Sequence, residues 1–138
     1  DFPFIWDFVP VSVTYESDIK LARELVKTAA KNVLGDTMEK AVARMRPYLY
    51  GTPQESELIE EPVVYTRFAD SSVVLEVKYI CRATRKHFVK SEITGSILEL
   101  FNAPENRDKL TIAYPHMELV FHDQSIEGAF KEYLMKKG

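Results

Sequence analysis

The sequence has few of the residues that build catalytic centres, metal sites and disulfides. Its 138 residues include one cysteine, three histidines and five glycines. A single cysteine excludes an internal disulfide and a multi-cysteine metal site, and the glycines form no phosphate-binding loop. The formal net charge of -3 gives no general attraction to nucleic acid. We therefore expect no enzyme, no cofactor and no nucleic-acid partner.

Long hydrophobic runs are also missing, since no apolar run approaches the roughly 20 residues that a membrane-spanning helix needs. Hydrophobic residues nevertheless make up 46% of the chain and aromatic residues 12%, which is typical of a globular domain. The first eight residues are unusually apolar and include Phe4, Ile5 and Trp6. We expect residues 1–8 to form a junction with a preceding part of a longer protein that this chain lacks. Any membrane attachment would run through that missing N-terminal region.

Alternating and helical apolar patterns follow one another along the chain. Asp70, Ser71 and Ser72 favour a turn between two strands, and Pro47 is expected to end a helix. The order is that of a ferredoxin-like β-α-β-β-α-β sandwich. We therefore predict an α+β domain over residues 9–115 with an extra helical insertion. The pattern predicts strands over 9–16, 63–68, 73–81 and 110–121, helices over 19–34, 37–46 and 84–102, and a loop over 48–61.

The last predicted strand contains a proline, although proline has no N–H for a β-ladder. Side chains alternate along a strand, so a change of parity moves the apolar row to the opposite face. We predict that the strand kinks at Pro115 and that residues 116–138 form an assembly strand and a C-terminal tail. A lone strand needs partners, most simply other copies of the chain. The large apolar residues are Leu110, Ile112 and Tyr114 before Pro115, and Met117, Leu119 and Phe121 after His116.

Cysteine and histidine residues invite a catalytic or metal-binding interpretation. Cys81 shares the apolar parity of its strand, so we expect it to be a buried packing residue. His116 and His122 would lie about 20 Å apart on a strand, which is too far to share one metal within a subunit. In a ring of copies, His116 could instead face its own images as a metal or pH-sensing site. An ordinary polar position is the alternative that we favour.

Opposite charges are concentrated in two segments. A helix N-terminus disfavours cations, so the basic segment there has two interpretations. It is either a solvated face or a contact with an acidic loop of a neighbouring subunit. The basic residues are Arg82, Arg85, Lys86 and Lys90, and the acidic residues are Glu55, Glu57, Glu60 and Glu61.

Three segments together resemble the C-terminal cytoplasmic region of the small-conductance mechanosensitive channel family. They are Tyr15-Glu16-Ser17-Asp18 at a strand-to-helix junction, Asp70-Ser71-Ser72 at a hairpin, and Ile112-Ala113-Tyr114-Pro115-His116-Met117 in the last strand. The resemblance covers roughly residues 5–121. Two departures are that Ala113 stands in place of the family's first proline and His116 in place of its glutamine.

The resemblance implies a subunit of a homoheptameric channel. Members of the family have membrane helices, a small β-domain and an α/β domain, and their seven final strands close into a barrel below a cytoplasmic vestibule. Pro115, His116, Met117, Leu119 and Phe121 would then belong to the assembly strand. Residues 1–8, with Phe4, Ile5 and Trp6, would border the preceding β-domain. The whole protein would lie in the cell membrane, with this domain in the cytoplasm beside the path of solutes and ions. The alternative is a free-standing ferredoxin-like regulatory domain that binds a small ligand and dimerises.

Overall fold

A computed structural model describes residues 3–113, which form an antiparallel three-stranded sheet and three α-helices. The predictions for Pro115, His116 and residues 117–138 lie outside the described residues. The elements are β1 (Phe4–Val13), α1 (Ile19–Leu34), α2 (Thr37–Leu49), a first 3-10 turn (Pro53–Glu57), β2 (Val63–Phe68), β3 (Val73–Arg82), a second 3-10 turn (Ala83–Arg85) and α3 (Lys86–Asn102).

β3 is the middle strand of the sheet, with β1 on one side and β2 on the other. Val77 of β3 lies opposite Val9 of β1 and Val64 of β2. Directly opposed residues of antiparallel strands point to the same face. The odd-numbered residues of β1 and β3 therefore form a first face with the even-numbered residues of β2. The remaining strand residues form a second face.

Helices α1 and α3 cover the first face. Asp18 begins α1, because its carboxylate accepts a hydrogen bond from the backbone N–H of Leu21 at 3.0 Å. Val26 of α1 and Ile93 of α3 are fully buried in the same hydrophobic core as Val77. Each such side chain contributes about 1.5–3 kcal/mol by leaving water. Burial of this layer is the main source of the domain's stability.

Helix α2 and the first 3-10 turn cover one end of the second face. Gly35 follows α1 with a φ of 56°, a conformation that favours glycine, and lets the chain turn into α2. The Arg44 guanidinium of α2 lies 5.6 Å from the centre of the Phe4 ring. The indole N–H of Trp6 donates to the carbonyl oxygen of Glu57 at 2.8 Å. Phe4 and Trp6 both point to the second face, so these contacts place the insertion there.

The predicted α+β fold is confirmed, and so is the hairpin, whose turn is closed by a hydrogen bond from the Ala69 N–H to the Ser72 carbonyl at 2.8 Å. Several predicted boundaries were wrong: β1 ends at Val13 rather than at residue 16, and α3 begins at Lys86 rather than at residue 84. β1 begins at Phe4 rather than at residue 9, because α2 buries the second face there and the alternation is lost. Helix α2 passes through Pro47 and ends at Leu49, since a proline in the last turn removes only one hydrogen bond.

The chain after α3 returns to the outer edge of β1. Val13 and Ile112 form an antiparallel bridge. The N–H of Thr14 donates to the Thr111 carbonyl at 3.0 Å, and the N–H of Ala113 donates to the Ser12 carbonyl at 2.8 Å. The predicted last strand thus starts beside β1.

Candidate assembly surfaces

The three predicted junction residues lie in the first half of β1. Phe4 is buried in the core, whereas Ile5 and Trp6 are partly buried. They pair with β3, and Phe4 lies opposite Arg82. At least part of their apolar surface is therefore buried within this domain. A contact between these residues and a preceding domain stays a prediction.

The second face is open beyond the end that α2 covers. Phe8 of β1 and Tyr65 of β2 are 39% and 52% exposed there. Pro10 lies opposite Glu76, and Glu76 binds Arg67 across the strands at 3.1 Å. We call these five residues the open sheet surface. Two partly exposed aromatic rings and an ion pair thus share this part of the second face.

The acidic residues predicted to contact a neighbouring subunit mostly pair within the chain. The hydrogen bond and positive charge of Lys27 hold the pKa of Glu61 below its ordinary value. Glu55 forms no ion pair with a described residue. The pairs of Glu60 and Glu61 are exposed and contribute little to stability, whereas the Lys78 side chain that pairs with Glu57 is only 13% exposed. The pairs are Glu57 with Lys78, Glu60 with Arg46 at 3.5 Å, and Glu61 with Lys27 at 2.9 Å.

The basic residues of the same prediction divide into two groups. Lys90 pairs with Asp7 at 3.4 Å. Arg82, Arg85 and Lys86 form no ion pair with a described residue and are exposed. Arg85 stacks on its own helix, with its guanidinium carbon 4.5 Å from the Phe88 ring centre. Arg82 lies over the Phe4 ring, with its guanidinium carbon 5.3 Å from the ring centre. Contact of these three cations with a second subunit stays a prediction.

A buried acidic residue links β1, β3 and α3. Asp7 is 8% exposed and points to the first face. Its carboxylate accepts hydrogen bonds from the backbone N–H of Phe8 at 2.9 Å and from the Tyr79 hydroxyl at 3.5 Å, and it pairs with Lys90. Burial and the nearby negative charge raise the pKa of Tyr79 far above its ordinary value. The hydroxyl therefore stays protonated and donates to Asp7.

Cys81 is fully buried, as predicted, and carries a free thiol. Burial raises the pKa of this thiol, with a further contribution from the charge of Asp7. A nucleophilic cysteine needs a lowered pKa and access to solvent, and Cys81 has neither. Residues 3–113 contain no group of three His, Cys, Asp or Glu side chains placed to hold a metal ion. No helix in that range has the length and apolar character needed to cross a bilayer.

Sequence reasoning missed two features of these surfaces. Asp7 has the same parity as Val9 and Val13, so it lies in the apolar row of β1. An acidic residue in such a row is a sequence signal for a buried ion pair. Arg44 gave no such signal, because its place beside Phe4 depends on how α2 folds over the end of the sheet.

The geometry defines an α+β domain with a partly exposed sheet face and an exposed group of cations. The family described as "Mechanosensitive ion channel MscS, C-terminal" matches residues 8–104, which is more than half of the chain. The chain therefore belongs to that family, which is one of ion-channel domains and not of enzymes. A search among curated proteins finds no match.

Proposed function

We propose that this chain is the cytoplasmic assembly and vestibule domain of a homoheptameric mechanosensitive channel that responds to osmotic stress. The family match over residues 8–104 carries the proposal. In the whole protein, membrane helices outside this chain sense tension and hold the pore. This domain joins the subunits and encloses the space that ions and solutes cross.

The hydrogen-bonding register at the edge of β1 supports a strand that leaves its own sheet. Thr14 with Thr111 and Ser12 with Ala113 are successive hydrogen-bonded pairs. Such pairs recur at every second residue of an antiparallel ladder. The next pair in this register would be Pro10 with Pro115, and neither residue has an N–H to donate.

Two prolines opposed in this way would remove both hydrogen bonds of one ladder step. That loss is the physical reason to expect the strand to separate from β1 at Pro115. The parity change in the sequence then assigns Met117, Leu119 and Phe121 to an apolar row that other subunits cover. We propose that these residues form the contact between final strands, and that Arg82, Arg85 and Lys86 contribute charge at the subunit boundary.

Native mass spectrometry and patch recording of the purified parent protein test this proposal. We expect complexes of seven subunits, and currents that open under tension in lipid. Replacing Leu119→Glu should reduce the heptamer fraction, because a buried carboxylate is costly. Leu98→Glu places the same charge on the exposed outer side of α3, where Leu98 is 42% exposed, and should leave it unchanged. Monomers or dimers without tension-gated current would contradict the proposal.

A further inference from the structure

The outer edge of β2 is free within residues 3–113, because β3 lies on one side of β2 and no described strand lies on the other. The N–H of Ala69 donates to the Ser72 carbonyl at 2.8 Å, so the odd-numbered residues of β2 form the hydrogen-bonded pairs with β3. The even-numbered residues of β2 therefore direct their backbone N–H and carbonyl groups outward. They are Val64, Thr66 and Phe68.

This edge lacks the features by which proteins usually prevent two sheets from joining. Pro10 interrupts the outer edge of β1, whereas β2 contains no proline. The charged residue of β2, Arg67, points to the second face and not across the edge. Phe68 is 81% exposed at the end of the strand. Such an edge is a template on which another strand can pair.

An antiparallel copy of β2 fits this edge in one register that uses every outward backbone group. In that register Thr66 lies opposite the second copy's Thr66, and Val64 lies opposite the second copy's Phe68. Moving the copies two residues apart in either direction brings in Pro62, which has no N–H, or Asp70 of the hairpin turn. The sequence of β2 is thus complementary to itself about Thr66.

Side chains on the first face are complementary in the same register. The second copy's Phe68 would lie beside Val64, where α1 and the start of β2 enclose a groove of about 300 Å³. Arg23 and Lys27 of α1 line this groove, and cations of this kind stabilise an aromatic ring beneath them. The two-fold axis repeats the contact, so both exposed Phe68 rings leave water.

On the second face, Tyr65 lies opposite the second copy's Arg67. The Cα atoms of such a pair, which exchanges no backbone hydrogen bonds, approach to about 4.5 Å. Tyr65 is 52% exposed and the Arg67 side chain 60% exposed, so both can form a cation–π contact across the edge. This contact also occurs twice.

We propose that β2 pairs with β2 of a second copy of this chain and joins the two three-stranded sheets into one. The contact goes beyond the proposed function, since it uses the edge of the sheet opposite to the one where the predicted last strand begins. Seven subunits of one ring cannot all form two-fold pairs with each other. The contact therefore joins copies from different rings.

Sedimentation and hydrogen exchange of the chain test the pairing, with Leu119→Glu introduced to prevent contacts between last strands. We expect a monomer–dimer equilibrium in which the amides of the three outward residues exchange roughly tenfold or more slowly in the dimer. The amides of Tyr65 and Arg67 bond β3 in both states and should change little. A chain that stays monomeric at millimolar concentration, or a dimer without this alternation, would overturn the proposal.

Cysteine cross-linking tests the register in a Cys81→Ala background. Thr66→Cys should give a disulfide-linked dimer on mild oxidation, because opposed residues of a ladder lie within disulfide range. Tyr65→Cys and Arg67→Cys should each stay unlinked alone and form a mixed disulfide when combined. Efficient linking of Arg67→Cys to itself would overturn the register.

Matched variants locate the contact. Phe68→Ala should weaken the dimer roughly tenfold, whereas Phe88→Ala, at a position 53% exposed on α3, should leave it unchanged. Thr66→Pro removes a central outward N–H without removing a bond to β3 and should abolish the dimer. Circular dichroism confirms that each variant is folded. A dimer that Phe68→Ala does not weaken would overturn the pairing even if Thr66→Pro fails to fold.

Discussion

At the scale of single residues, the buried carboxylate of Asp7 is a polar group whose loss should lower the stability of the domain. Three elements converge on it through Phe8, Tyr79 and Lys90. An ion pair that is partly shielded from water loses more when one partner is removed than an exposed pair does. Asp7 thus fixes the position of α3 against the sheet, and not only the local chain.

Replacing Asp7→Asn should lower the free energy of unfolding by about 1–2 kcal/mol, because Lys90 and Tyr79 lose a charged acceptor. Urea denaturation measures the change. Asp36→Asn is the matched control, since Asp36 pairs with Lys40 on the exposed surface of α2 and should cost less than about 0.5 kcal/mol. Similar costs for the two variants would show that Asp7 does not act as a buried partner.

The Cys81 thiol gives a second prediction at this scale. Since burial raises its pKa, the folded chain keeps the thiol protonated at a pH where the unfolded chain loses the proton. Stability from this group is complete below the unfolded pKa of about 8.5 and falls as the pH rises above it. The urea midpoint between pH 7 and 9.5 should therefore fall more for the natural chain than for Cys81→Ala.

Thiol reactivity checks the same burial by an independent route. A disulfide reagent should react with native Cys81 only as fast as the domain opens, and rapidly in urea. Fast reaction of the folded chain would mean that β3 is accessible at this position and would contradict the burial.

At the scale of elements, residues with local signals were predictable and those governed by distant packing were not. The hairpin followed from Asp70 and its neighbours, and α1 and α3 followed from their apolar spacing. The start of β1 was missed because α2 buries the second face over Phe4 and Trp6, which removes the alternation that marks a strand. The position of Arg44 beside Phe4 was out of reach for the same reason, since it arises only when α2 lies on the sheet.

The proposed opposition of Pro10 and Pro115 gives a prediction for one element. Pro10→Val together with Pro115→Val would supply both missing N–H groups and allow the ladder beside β1 to continue. We expect the double variant of the parent protein to assemble less well, because the strand would then stay with its own subunit. Native mass spectrometry measures the heptamer fraction. Each single variant restores only one donor and should have a smaller effect.

Hydrogen exchange at the two new valine amides shows whether the strand has stayed paired with β1 and so caused the loss of heptamers. Slow exchange at both, with loss of heptamers, is the expected result. If the double variant forms heptamers as well as the natural protein does, opposed prolines do not direct the strand away from its sheet.

At the scale of the whole molecule, the sheet has one face closed by helices and the other only half closed. α2 covers the end near Phe4, and the open sheet surface keeps Phe8 and Tyr65 accessible. An isolated copy of the domain leaves these two rings partly exposed to water. A domain that lies beside identical copies can bury them, which agrees with the proposed assembly.

Phe8→Glu in the parent protein should therefore weaken subunit association, roughly tenfold or more if the ring is a central contact, while leaving the fold intact. Leu98→Glu is the matched control, because Leu98 and Phe8 are 42% and 39% exposed but lie on opposite sides of the domain. Dissociation on dilution, followed by light scattering, measures the effect. If the two variants dissociate equally, the weaker subunit association results from the added charge and not from the loss of Phe8 on the open sheet surface. In that case the subunit contact lies on other residues, and the charged groups near Arg85 become the first to test.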